Sequence, residues 1–177
     1  MEKKSGQQTL EGFEFRNIRQ EEADQAVEIE KICFPPHEAC SKKDMKLRIA
    51  AAPEMFLVAE DKRSGKLAGF LNGLSTDENS FRDEFFTDAG LYQPDGKNVM
   101  LLGLNVVPEY RGRGLARALV HEYLQRERAK NRREVILTCL PSKVRMYEKM
   151  GFQDCGIANS SWGGEEWHEM LYRLGPA

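Results

Sequence analysis

The chain has 177 residues, 41% of them hydrophobic, and a net charge of −2 at pH 7. That length suits one domain with a sizeable core, the near-neutral charge gives no global reason to expect a nucleic-acid partner, and no run approaches the ~20 apolar residues of a membrane span. Residues Met1 to Gln8 lack a signal peptide's apolar core, and Cys33, Cys40, Cys139 and Cys155 show no Cys-x-x-Cys spacing, so a cytoplasmic protein with reduced cysteines and no metal is expected.

Residues 1–11 are polar and read as a flexible N-terminus, ahead of a single domain over residues 12–177. Gly12 to Arg19 alternates apolar and polar like a half-buried strand. Ala23, Ala26, Val27, Ile29, Glu30, Ile32 and Cys33 then form a mainly apolar helical stripe that Pro35-Pro36 ends, and residues 34–40 read as a rigid, extended loop. Ser41, with Asp44 three residues on, starts a second helix carrying Met45, Leu47, Arg48 and Ile49 up to Pro53. Met55–Glu60 and Leu67–Leu74 read as a hairpin around the turn chemistry of residues 61–66.

Residues 75–98 are polar but hold Phe81, Phe85, Phe86, Leu91 and Tyr92, and the segment is long for a structureless connection. A short helix near residues 79–86, packing its aromatics on the core, is the plainer reading; a flap over a substrate mouth is the sharper one.

Val99 to Val107 is a nearly continuous apolar run, the mark of a strand covered on both faces, and it ends at Pro108. Gly112 and Gly114 follow, and a helix with Leu115, Ala116, Leu119, Val120, Tyr123 and Leu124 on one face begins there. Glycines that expose successive N–H groups ahead of a helix N-terminus form a cradle for phosphate. Leu115-Ala116 does not supply the Lys-Ser/Thr of a P-loop, and Arg117 stands where a dinucleotide fingerprint needs a small residue. Eight cations against two acids make residues 111–133 locally basic; most read as a solvated helix face, and those nearest the glycines could attract a polyphosphate.

Val135–Leu140 is a second apolar strand, reached by a helix and not by a tight turn, so the two strands should be parallel neighbours. Pro141-Ser142 opens a short helix over residues 143–150 with Gly151 as its C-cap, and residues 152–157 and 166–174 form a closing hairpin.

The pattern Arg111-x-x-Gly114-x-Ala116 after a strand ending Val-Val-Pro resembles the acetyl-coenzyme A signature of the GNAT superfamily of N-acetyltransferases, and Met146-Tyr147-Glu148-Lys149-Met150-Gly151-Phe152 is similar to its second hallmark. More narrowly, Val27-Glu28-Ile29-Glu30 to Phe34, Ala52-Pro53-Glu54, residues 75–78, Thr138-Cys139 and Glu169-Met170 resemble the microbial relatives of the arylalkylamine N-acetyltransferases. The resemblance implies the acyl-CoA N-acyltransferase fold: an α/β (α+β) domain with a mixed, mostly antiparallel sheet and one parallel strand pair around the cofactor.

It also implies a coenzyme A site on residues 104–106 (Leu104, Asn105, Val106), with main-chain groups of Leu104 and Val106 pairing with the pantetheine arm. Amides of Arg111, Gly112, Gly114, Leu115 and Ala116 would hold the pyrophosphate, and Arg113 and Ser142 would also belong to the cofactor site. Tyr147 would protonate the departing sulfur, and Phe34 and Trp167 would line an amine pocket. Met100 and Leu102 stand where vertebrate arylalkylamine enzymes carry a histidine pair, so the base must come from elsewhere.

An alkylamine has a pKa near 10, so it must lose a proton before attack, and His37, Glu165, Glu166 and His168 are the candidate bases, with His168 and Glu166 foremost. A main-chain N–H, that of Val106, could stabilise the thioester oxygen as charge develops. Tyr147 could instead be a packed tyrosine, Phe34 and Trp167 core residues, and Cys139 reads as a buried structural thiol. The expected activity is transfer of acetyl from acetyl-CoA to the primary amine of a small molecule, an arylalkylamine or, through Asp77, Glu78, Glu165 and Glu166, a polyamine. Alternatives are acetylation of a protein lysine or N-terminus, and a non-catalytic acyl-CoA sensor; the expected partners are the thioester and the amine, with no nucleic acid or membrane, in a monomer or homodimer.

Overall fold

The computed structural model describes residues 10–175, so the expected flexible terminus lies outside the described residues except for Leu10, which is helical, and Glu11, which is in a turn. Seven strands, β1 (Phe13–Asn17), β2 (Phe56–Asp61), β3 (Leu67–Thr76), β4 (Asn98–Val106), β5 (Glu134–Cys139), β6 (Gln153–Ile157) and β7 (His168–Arg173), form a mixed sheet in the order β1-β2-β3-β4-β5-β7-β6. β4 and β5 are the parallel pair, Asn98–Met100 against Glu134–Ile136, as the helical crossover between them requires. The helices are α1 (Ala23–Cys33), α2 (Lys42–Ala51), α3 (Glu84–Thr87), α4 (Leu115–Ala129) and α5 (Val144–Lys149). The chain divides into two compact units, Met1–Asn72 with Gly103–Tyr123 and Gly73–Leu102 with Leu124–Ala177, and β3, β4 and α4 each run from one into the other.

In the first unit α1 and α2 bury their apolar faces on β2 and β3. Ala26, Val27 and Ile29 meet Met45 and Ile49, with Phe56, Val58, Leu67 and Phe70 beneath them. α2 begins where Ser41 Oγ accepts the Asp44 amide at 3.1 Å. The buried face of α2 is Met45, Arg48 and Ile49, so Leu47 falls on the far side and is 47% exposed; Ile32 likewise leaves the arc of α1 and is 59% exposed. Residues 35–39 are not the extended loop expected. The amides of Glu38 and Ala39 both donate to the Pro35 carbonyl at 2.9 Å, because proline's fixed φ sets up a turn as readily as an extended strand.

In the second unit β5 lies between β4 and β7, and β6 forms the edge. The helix expected near residues 79–86 is the single turn of α3, and Phe81 and Phe85 are buried, as the packing reading required. The return of this segment is held by Arg132, which donates to the carbonyls of Pro94 at 2.8 Å and Gly96 at 2.5 Å and to Glu127 at 3.2 Å. β4 departs from its expected double coverage: it is buried up to Leu101, but Leu102, Gly103, Leu104 and Val106 are partly exposed.

Candidate active site

The loop after β4 is a row of main-chain donors. Gly112 and Gly114 adopt φ of +81° and +79°, a region that L side chains rarely enter, and no atom lies within 4 Å of where a Cβ would sit on either. Their role is conformational. Gly112, Arg113, Gly114, Leu115 and Ala116 present amides with no hydrogen-bond partner among the described residues, at the N-terminus of the fifteen-residue α4. Such a set fits a pyrophosphate.

The Arg111 amide does not join it. It donates to the Pro108 carbonyl at 3.2 Å, closing a short 3-10 turn, so the row of amides without a backbone partner begins at Gly112. The loop is anchored by Tyr110, whose hydroxyl donates to Asp61 Oδ2 at 2.7 Å and whose ring carries the Arg113 guanidinium at 5.5 Å. This phenol–carboxylate bond, first among the causes, holds the Asp61 pKa below its ordinary value and raises that of Tyr110.

The side chain of Arg111 turns back to β4, with Nε 3.0 Å from the Val106 carbonyl and Nη2 3.7 Å from Cys33 Sγ. Cys33 Sγ lies 3.4 Å from the same carbonyl. The pairing with pantetheine implied for Val106 therefore cannot use this carbonyl unless Arg111 and Cys33 give way.

Beside this strand the first unit buries a polar cluster. Glu30, Arg48, Asn72 and Asn105 are all 4% exposed or less. Arg48 Nη1 donates to Asn72 Oδ1 at 3.3 Å, and Asn72 Nδ2 to the Gly103 carbonyl at 3.4 Å. A Cβ on Gly103 would lie 3.4 Å from Asn72 Nδ2, 3.5 Å from Asn105 Nδ2 and 3.7 Å from Glu30 Oε1, so three polar side chains ring the space left by the missing side chain. Glu30 Oε2 and both amide atoms of Asn105 have no well-formed hydrogen bond. Burial pushes the Glu30 carboxyl up to about 7, against the opposing pull of Arg48 and the nearby Asn105 amide.

Glu30 was not among the expected bases. The signal was present, since it stands on the buried face of α1 with Ala26, Val27 and Cys33, where an acid needs a reason. The expected bases lie elsewhere. His37 is half-exposed, 3.9 Å from Glu38, and Glu165 and Glu166 are exposed. His168 is partly buried, its Nδ1 3.1 Å from Asp154 Oδ1.

In the second unit Tyr147, on α5, sets its ring edge-on to Phe152 at 5.7 Å, and Phe152 meets Tyr172 at 5.3 Å. Burial, with a smaller contribution from Cys139, raises the Tyr147 phenol well above its ordinary value. Ser142 is exposed in the 3-10 turn before α5. Trp167 is buried, its Nε1 donating to the Trp162 carbonyl at 2.8 Å, whereas Phe34 is partly exposed. Cys139 is 4% exposed with its thiol pushed up to about 12 by burial, as an inert structural cysteine should be. Among the described residues no three His, Cys, Asp or Glu side chains converge as metal ligands, and no helix is long and apolar enough to cross a membrane.

The sequence pattern of the Acetyltransferase (GNAT) family matches residues 23–152, which include α1, the glycine loop and Tyr147. The chain belongs to this GNAT family. It is an acetyltransferase. Among solved structures it is similar to the loading GNATL domain of CurA from Lyngbya majuscula, with 15% identity, a TM-score of 0.78, and 92% of this chain and 98% of that one covered. It is also similar to the ribosomal-protein-S18-alanine N-acetyltransferase of Escherichia coli, with 18% identity, a TM-score of 0.69 and 93% and 96% covered. A third is YncA of Salmonella typhimurium, a putative acetyltransferase with its cofactor acetyl-CoA, at 16% identity, a TM-score of 0.66 and 94% and 96% covered. These likenesses show the GNAT fold, with its seven-stranded mixed sheet and one parallel pair. No curated protein matches the chain.

Proposed function

We propose that this GNAT enzyme acetylates the primary amine of a small molecule, with Glu30 as proton acceptor and Tyr147 as proton donor. Glu30 carries the reading. An alkylammonium ion cannot attack a carbonyl, and the group that deprotonates it near neutral pH works best with a pKa close to the working pH. A carboxyl at about 7, with one oxygen lacking a hydrogen bond, meets that need.

Acetyl-coenzyme A supplies the acetyl group as an activated thioester. The amides of Gly112 to Ala116 hold its pyrophosphate, and the helix N-terminus behind them adds partial positive charge. The raised pKa of Tyr147 keeps the phenol protonated throughout the neutral range. It also separates the phenol from a free thiol near 8.5, so Tyr147 acts by sharing its proton with the departing sulfur in a hydrogen bond.

The arylalkylamine form of the reading is better supported than the polyamine form. Glu78, one of the acids suited to a polyamine, is held by Arg82 at 2.7 Å, and Asp77 Oδ1 accepts the Lys97 amide at 3.1 Å.

The test is free-thiol release across arylalkylamines, polyamines and basic peptides. Glu30→Gln should lower kcat/KM for the best amine by about 10²- to 10³-fold and abolish the pH limb near 7. An unchanged rate and pH profile would remove Glu30 from the chemistry. Turnover confined to peptides would replace the small amine by a protein acceptor, and no turnover with any amine would favour an acyl-CoA sensor.

A further inference from the structure

Asp77, Asn79, Lys97, Asn98, Arg133 and Glu134 line a depression of about 400 Å³ in the second unit, a size within the range of small-molecule sites. Asn98 opens β4, Glu134 opens β5, and the two are register partners. In open α/β sheets ligands sit outside the carboxyl ends of the parallel strands, and this depression lies at their amino ends. β5 runs from it to Cys139, beyond which the chain enters α5 with Tyr147. The depression is therefore at the other end of β5 from the segment that carries the proton donor.

Its rim is tied together through the backbone. The Arg133 amide donates to the Lys97 carbonyl at 2.6 Å, and the Lys97 amide donates to Asp77 Oδ1 at 3.1 Å. The Asp77 amide in turn donates to Gln93 Oε1 at 2.7 Å, and Asn98 Nδ2 to the Glu78 carbonyl at 3.0 Å. A Cβ on Gly96 would collide with the backbone of Thr76, so the residue before Lys97 lies directly against the end of β3. These contacts hold the backbones of two cations and two acids around one hollow, and the ordering cost of the site is met in folding, before anything binds.

The charges around the hollow do not neutralise one another. Lys97, Arg133, Asp77 and Glu134 all line it, yet none of them forms an ion pair among the described residues. Asn98 is only 7% exposed, and the bond from its Nδ2 leaves Oδ1 with no donor among the described residues. A carbonyl oxygen that deep is costly to leave unsatisfied. A cation entering alone would face Lys97 and Arg133, and an anion alone would face Asp77 and Glu134. A molecule with both charges on neighbouring atoms answers both pairs.

We propose that this depression is a binding site for a free α-amino acid, whose carboxylate is taken by Lys97 and Arg133 and whose ammonium is taken by Glu134, the second Asp77 oxygen and Asn98 Oδ1. The site is separate from acetyl transfer and holds whichever amine accepts the acetyl group. Exposed charge pairs contribute little each, so the Kd should be on the order of 1 mM and should rise with salt.

The test is calorimetric titration of the full chain, without acetyl-CoA, with L-glutamine and glycine, and with two relatives that each lack one charge: N-acetyl-L-glutamine, without the ammonium, and L-glutaminamide, without the carboxylate. At least one of the two amino acids should bind, and each single-charge relative should bind about tenfold or more weakly than L-glutamine. Lys97→Gln, Arg133→Gln and Glu134→Gln should each weaken amino-acid binding about fivefold, and Glu30→Gln should leave it unchanged. Binding of neither amino acid, equal affinity for either single-charge relative, or an affinity that all three rim variants leave unchanged overturns the site. Should a rim variant fail to fold, the comparison of the four compounds on wild type still decides. Because acetyl-CoA is absent, failure of acetyl transfer to every amine would leave these titrations as they are.

Discussion

A carboxyl on the buried face of a helix destabilises the first unit whenever it is charged. Glu30 has an ordinary pKa of 4.5 and about 7 in the fold, so between those values the folded chain binds more protons than the unfolded one. Stability therefore falls as pH rises through that window, and the loss is complete above it. Wild type should lose about 2–3 kcal/mol from this group between pH 5 and 8, and Glu30→Gln should flatten that slope, as urea unfolding at the two pH values will show. A slope of equal size in the variant would mean that another group titrates. At this scale the sequence was read unevenly. Tyr147 and the glycines stood out because their motifs are local, but Glu30, Arg48, Asn72 and Asn105 meet only when β4 lies beside the helices, and their shared burial sets the pKa.

The loop after β4 and the cap of α2 show how much an element depends on one residue. Ser41→Ala removes the Oγ that accepts the Asp44 amide and should cost about 1 kcal/mol, measured as a lower denaturation midpoint with unchanged slope. Gly114→Ala forces a side chain into φ of +79° where nothing crowds it, so its cost of about 1 kcal/mol is backbone strain, and reorienting the amides should raise the KM for acetyl-CoA several-fold. Gly65→Ala, at φ of +73° in the β2–β3 turn and equally uncrowded, should cost similar stability and leave that KM unchanged. Equal KM values for the two variants would deny the loop its role. Most elements were legible, because helix stripes, caps and apolar strand runs are local patterns. The turn at 35–39 and the one-turn α3 were not, since proline allows both turn and extended paths and α3 depends on where Phe81 and Phe85 find cover.

For the whole molecule, the net charge of −2 hides a basic run at residues 111–133, so an anionic cosubstrate should bind there more weakly as salt rises. Acetyl-CoA at a hundred times its Kd should raise the free energy of unfolding by about 2.7 kcal/mol, and no stabilisation at any concentration would contradict a preformed pyrophosphate cradle. The sequence alone determined the parallel pair, the glycine turn before α4 and the family, because each depends on residues adjacent in the chain or on an unbroken strand–helix–strand order. Only the tertiary structure decided which acid is buried, which Val106 group is already engaged and which aromatics of residues 75–98 are buried, because burial is set by residues distant in sequence that the fold brings together.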